Sequence, residues 1–347
     1  MSLPDPPAAR KPSRFWLFAP FVLTLAAAAA WSALWVAEQH QVEGRLDAAA
    51  QAAAGAGYRL SWNSRSVSGY PFRLHATLTN ASLTEPSGWA LHAPRIEAQA
   101  YAYAPTSWLI AATQGLTFVR PQGGPVTLTG DLIRASLTHP EARPPSLSFE
   151  GVKLAFATPP GAKPFALTRA DRVEFHLRAG PDDEGGVFAS VMGGQARLSG
   201  LFARIAADKP ISLEWNSTLS KMSAFSGRDW PDAVRRWSDA GGRMTVRKAG
   251  LTAGESLVAA NGGSLAAGAD GRLAGTLELS LRQAPRALDA MGETGVLAPE
   301  TARAAALVAE ARQGDGEVAR ATLTFQAGQT TLGPIAVGPS PRVYTPR

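Results

Sequence analysis

The chain has 347 residues, a formal charge of +6 and no cysteine. That length holds one large domain or two ordinary ones. Without cysteine there are no disulfides, no thiolate metal sites and no cysteine nucleophile. The basic residues are spread along the chain rather than in runs, which reads as a solvated basic surface; where it meets a partner, anionic lipid fits better than nucleic acid.

Phe15 to Ala37 contains no charged residue, and its only polar side chains are Thr24 and Ser32. About 20 apolar residues cross a bilayer core of about 30 Å as a helix. Phe15, Trp16, Trp31 and Trp35 lie near its two ends, where aromatic rings favour the headgroup level. The alternative is a cleaved signal peptide with Ala26 to Ala30 at its cleavage site. Trp31, Leu34, Trp35 and Val36 carry the apolar run past that site, so an uncleaved anchor is expected. Arg10, Lys11 and Arg14 form the positive flank, which places residues 1–14 in the cytoplasm and the bulk in the periplasm, on a single-pass inner-membrane anchor over 15–37.

Residues 38–56 are Ala-rich, with Val42, Leu46, Ala49 and Ala53 near helical spacing, so a juxtamembrane helix is expected before Gly55 and Gly57. The period then falls to two. Leu60 and Trp62 alternate with polar neighbours, as do Phe72, Leu74, Ala76 and Leu78. The pattern returns at Ile96–Ala102, Val126–Leu128, Val152–Phe156, Val173–Leu177, Ile211–Trp215, Met244–Val246, Leu277–Leu281 and Leu323–Phe325. Gly, Pro and Asp punctuate the gaps, and Ala269-Asp270-Gly271-Arg272 predicts a hairpin turn. Clean alternation argues for antiparallel sheet with one polar face. Three further helices are predicted: 228–240, with Trp230, Val234 and Trp237 on one face, then 284–293 and 299–312 as a hairpin lying on the sheet. Leu60-Ser61-Trp62-Asn63-Ser64 is echoed at Leu213-Glu214-Trp215-Asn216-Ser217, a repeat or a chance match.

Site chemistry is sparse. His40, His75, His92, His139 and His176 lack metal-ligand spacing, and no Gly-x-Ser-x-Gly elbow or phosphate loop occurs. Asp182-Asp183-Glu184 reads as a hairpin tip rather than a cation site. Tyr101 and Tyr103 share a face with Glu97 and Gln99, opposite Ile96, Ala98 and Ala100. Burial of that strand on both sides is the favoured reading. No catalytic, cofactor or metal-binding residue is assigned, and paired carboxylates from separate strands remain open.

Several segments together resemble an uncharacterised family of alphaproteobacterial envelope proteins, DUF2125. They are Val67-Ser68-Gly69-Tyr70-Pro71-Phe72-Arg73-Leu74, Trp89-Ala90-Leu91-His92-Ala93-Pro94 and Ala102-Tyr103-Ala104-Pro105. The segment from Asp270 to Leu279 and the closing pair Leu332-Gly333-Pro334-Ile335 through Arg342 complete the set. Gly69, Tyr70, Pro71, Phe72, Trp89, Gly333 and Pro334 are the structural marks of this resemblance, which implies a fold and a location but no reaction. The layout is more loosely similar to AsmA-type envelope proteins, in which long antiparallel sheets curl around an apolar groove.

The expectation is therefore a mainly β (α+β) protein. Large, curved antiparallel sheet with a few packed helices fills 57–347, dividing into two halves near 200–210. A non-enzymatic role is expected, binding lipid or another apolar ligand in envelope maintenance or lipid traffic. A scaffold binding an envelope protein is the second reading and an envelope hydrolase the third. No cofactor and no nucleic acid are expected.

Overall fold

A computed structural model describes residues 15–139, 144–197, 209–227, 229–253, 256–282, 298–312 and 319–345, with a few single positions and pairs between them. Arg10, Lys11 and Arg14, most of the predicted helix 284–293 and nearly all of the boundary at 200–210 lie outside the described residues.

The first helix, α1 (Phe15–Gly55), runs unbroken through both the apolar stretch and the Ala-rich segment behind it. No Gly or Pro intervenes between Ala37 and Gly44, so nothing stops the helix at the end of the apolar run. Thr24 and Ser32 donate their hydroxyls to the carbonyls of Pro20 and Ala28, each at 2.8 Å. Their polar atoms are thereby satisfied inside an apolar surface. The helix ends where Tyr58 N–H bonds Ala53 O and Gly57 turns left-handed.

Strand content dominates the rest, in a single antiparallel ladder. It starts with two short strands, β1 (Arg59–Ser61) and β2 (Ser64–Ser68), which pair end to end along β3 (Arg73–Thr84). β4 (Ala90–Tyr101) follows β3. Beyond it lie two side-by-side ribbons. One joins β5 (Ala104–Ala111) to β8 (Leu132–Thr138), the other β6 (Leu116–Arg120) to β7 (Gly124–Thr129). Both ribbons meet β9 (Ser146–Ala157). From there the ladder is a plain meander through β10 (Leu167–Ala179), β11 (Gly185–Ala196), β12 (Ile211–Leu219), β13 (Met244–Ala253), β14 (Ser256–Ala267), β15 (Leu273–Arg282), β16 (Ala319–Gln326), β17 (Gln329–Leu332) and β18 (Ile335–Pro339). Every alternating run predicted from 72 onward falls on one of these strands, with Phe72 just before β3 and Ala102 just after β4, and the turn at 269–272 joins β14 to β15. The echoed pentapeptides fall in unlike places: Leu60 is in a three-residue strand at one end of the ladder, Leu213 in a nine-residue strand inside it.

Two further α-helices stand among the described residues, α2 (Trp230–Asp239), which packs beside the sheet, and α3 (Pro299–Arg312), which precedes β16 in the chain. Asp229 caps α2 by accepting from the amide of Asp232 at 2.9 Å, and a proline occupies its first turn. The apolar face of α2 buries Val234 and Trp237 against Leu219, Met222, Ala267 and Tyr344. The chain after β18 returns to this corner. Val343 N–H bonds Gly271 O, the Trp230 indole donates to Val343 O, and Tyr344 donates its hydroxyl to Gly268 O.

Candidate functional site

The pairing register decides which side chains share a face, because directly opposed residues point the same way. One row reads Ala76, Ala98, Ile110, Ala135, Phe149, Phe175, Ala189, Trp215, Ala249, Ala260, Leu279, Ala321. The row beside it runs from Trp108 through Leu137, Leu147, Leu177 and Val187 to Ser217, then on through Val246, Gly263, Leu277 and Leu323 to Leu332. A third joins Ile133, Gly151, Val173, Val191, Leu213, Leu251, Val258 and Leu281. Together they make one uninterrupted apolar face across the ladder. The polar member of the second row, Ser217, is buried, and its Oγ accepts the Trp215 indole N–H at 2.9 Å. Gly263 stands in a bulge of β14 at φ 150°, where a Cβ would lie 2.2 Å from Thr276 O. The bulge holds β14 in register with β15 and so keeps the row aligned.

The opposite face is charged. Arg134, Glu150, Glu174, Ser190 and Glu214 are successive register neighbours. Glu150 is paired with both Arg134 and Arg172, and Arg172 reaches Glu174 at 2.9 Å. Lys248 meets Glu214 at 2.9 Å. His75 lies 3.5 Å from Glu97, and His176 packs beside Phe188, so both sit on this wetter face. Two-sided chemistry of this kind marks a sheet with one wet face and one face that needs covering.

Among the described residues the apolar face is covered only in part. At its start, Trp35 and Val42 of α1 pack on Leu74 and Ala76, with Leu46, Ala98 and Trp108 around them. At one edge, α2 and Tyr344 cover the ends of the strands from β11 to β14. Between these covers, Phe149, Val173, Phe175, Leu177 and Trp215 are half-buried, and Leu213 is exposed.

The junction at α1 gathers residues that lie far apart in sequence. Gly69 has φ 105°, and a Cβ there would stand 2.7 Å from Arg73 O, so the turn requires glycine. After it, the Tyr70–Pro71 peptide is cis. The Trp31 indole donates to Pro71 O at 2.8 Å, and the Trp35 indole donates to Arg73 O at 2.9 Å. Ser32 Oγ and Tyr70 Oη are 2.8 Å apart, and Tyr70 meets the Trp35 ring edge-on at 5.5 Å. Trp31 faces Phe72 at 6.3 Å. Further along α1, Arg65 forms a bidentate ion pair with Asp47. That bond holds the Asp47 carboxyl below its ordinary value of 3.8 and pushes the Arg65 guanidinium up.

Tyr101 and Tyr103 are not buried on both sides, contrary to the sequence expectation. They are exposed and stacked 5.0 Å apart, because they stand at the end of β4 and in the turn that leads to β5. The other marked residues are dispersed. Trp89 is exposed beside the β3–β4 turn, and Gly333 and Pro334 form the β17–β18 turn, where Gly333 N–H bonds Thr322 O. In Asp182-Asp183-Glu184, Asp183 accepts from the amide and hydroxyl of Ser223, which fixes it as a tip contact. Among the described residues no cluster of His, Asp or Glu is placed to hold a metal ion. The junction and the apolar rows left only faint signals in sequence. Alternation marks each strand, but register and helix docking are set by pairing.

These features define a β-sheet protein with one N-terminal helix long and apolar enough to span a membrane, docked on its first strands. The chain belongs to the family described as "Uncharacterized protein conserved in bacteria (DUF2125)", whose model matches residues 35–341. That match begins at Trp35, the indole that ties α1 to β3. Neither a curated protein nor a solved structure matches the chain.

Proposed function

We propose that this is a non-enzymatic protein of the bacterial envelope, anchored in the inner membrane by α1 with its N-terminus cytoplasmic and its sheet in the periplasm. The uncovered part of the apolar face takes lipid acyl chains, in envelope maintenance or lipid traffic. The observation that carries this reading is the unbroken register of apolar rows from Ala76 to Ala321 and from Trp108 to Leu332, beginning where α1 meets the sheet. Many members of these rows are buried, and the part open to an occupant is the stretch around the exposed Leu213 and the half-buried Phe175, Leu177 and Val258. A likeness to AsmA-type proteins and a place in the alphaproteobacterial envelope are part of the same proposal.

Photo-crosslinking tests the proposal. A benzophenone side chain at Leu213 or Val258, on the apolar face, is expected to yield lipid adducts by mass spectrometry when cells are irradiated. The same probe at Glu214 or Ser280, on the charged face, is expected to yield none. Adducts to another protein from Leu213 and Val258 would favour the scaffold reading. Adducts only within the chain would refute a ligand on this face.

A further inference from the structure

We infer that Tyr70, Phe72, Tyr101 and Tyr103 form a membrane seat, embedded at the headgroup level of the leaflet through which α1 leaves the bilayer. The inference rests on α1 crossing the membrane and not on the lipid ligand.

Depth fixes the position. From Phe15 to Trp31 the helix rises about 24 Å, and to Trp35 about 30 Å. The hydrocarbon core is about 30 Å thick. Trp31, Ser32 and Trp35 therefore stand at its far boundary, and each is tied to the Tyr70–Arg73 loop. Those bonds hold the loop at the same height. Register then brings in the second pair of rings. Arg73 opposes Tyr101 across β3 and β4, and Ala102 N–H bonds Phe72 O at 3.0 Å. The Arg73 guanidinium lies 5.9 Å from the Tyr101 ring, and Tyr103 stacks on that ring.

The four rings are all substantially exposed, with Phe72 at 62% and Tyr103 at 67%. Left in water, such a strip is unfavourable. At the headgroup level it is favoured, because tyrosine presents an apolar ring with a polar tip and arginine meets phosphate oxygens. The strip continues the surface of α1 itself, where Leu34 and Val36 are also exposed. The chemistry of the seat is thus aromatic rings at the lipid–water boundary with one cation among phosphates. Its consequence is a fixed posture: the edge of the sheet carrying the turns at 70–73 and 101–104 faces the membrane, and the β3–β4 turn at 84–90 points away.

The absence of cysteine allows a clean test in the full chain. Phe72→Cys and Tyr103→Cys are made separately, each labelled with a nitrobenzoxadiazole fluorophore, and reconstituted into phosphatidylcholine–phosphatidylglycerol vesicles. Ser87→Cys, in the exposed β3–β4 turn, is the control. Labels at 72 and 103 are expected to emit at shorter wavelength than the label at 87. They are expected to be quenched by headgroup and shallow-chain nitroxide lipids, and to be several-fold less accessible to aqueous iodide. Equal iodide quenching at all three sites, in vesicles that retain the protein through a carbonate wash, overturns the seat and leaves the anchor standing. Protection from iodide without nitroxide quenching also overturns it, since a protein then covers the rings. Release of the chain by carbonate overturns both.

Discussion

Replacing Trp35 by alanine tests whether α1 is a layer of the fold rather than a detached stalk. Trp35 is 8% exposed; its ring packs with Val42, Leu74 and Ala76, and its indole N–H holds Arg73 O. Truncating a buried Trp to Ala costs about 3–5 kcal/mol in a protein core. The lower end applies here, because an undocked indole enters the headgroup region rather than water. A loss of about 3 kcal/mol is roughly a hundredfold in the opening equilibrium. The assay is hydrogen exchange by mass spectrometry on the full chain in nanodiscs, read over residues 59–68, which form the two short strands beside α1. Trp35→Phe keeps most of the ring and removes the donor, for a net loss of about 1 kcal/mol. Exchange over 59–68 is expected to rise in that order, with Trp35→Ala fastest. Unchanged exchange in Trp35→Ala would refute the docking argument.

Gly69→Ala forces a Cβ to 2.7 Å from Arg73 O at φ 105°. The expected cost is about 1–3 kcal/mol, seen as a lower Tm by circular dichroism, whereas Ser66→Ala on the exposed side of β2 leaves Tm unchanged. Acid is expected to weaken two ion pairs, Asp47–Arg65 at the α1 junction and Glu97–Arg95 on the wet face of β4. Asp47 is held below its ordinary 3.8 by Arg65, and Glu97 below its ordinary 4.5 chiefly by its bond from Arg95. Both folded values are depressed, so the contribution is full above the ordinary values and is lost as pH falls below them. Asp47→Asn is expected to flatten the lower part of that decline in a denaturation series, and an unaltered profile would show that the ion pair contributes nothing.

Much of the fold was legible because alternation is a local signal. Phe72–Leu78 and Val173–Leu177 declare a strand without reference to any partner. Of the strands absent from the predicted runs, β8 does alternate, Ile133, Ala135 and Leu137 against Arg134, Ser136 and Thr138, whereas three others lack that signal. β11 is interrupted by Gly185, Gly186, Gly193 and Gly194; β5 carries a proline at its second position; and all five residues of β6 are half-buried, so inside and outside do not alternate. The motif Gly69-Tyr70-Pro71-Phe72 is visible as a motif, but its partners Trp31, Ser32 and Trp35 are nearly forty residues away, in a run whose composition signals only the membrane.

By itself the sequence determined that this chain has a helix of membrane-spanning length and apolarity, followed by antiparallel strands with one wet and one dry side. Those properties follow from composition and period, which act within a few residues. Tertiary structure alone decided that the dry sides line up into one face, that α1 continues past the apolar run to cover its first strands, and that Tyr101 and Tyr103 stand exposed beside Phe72. Register and docking depend on pairings between distant residues, and an alternating pattern is compatible with more than one of them.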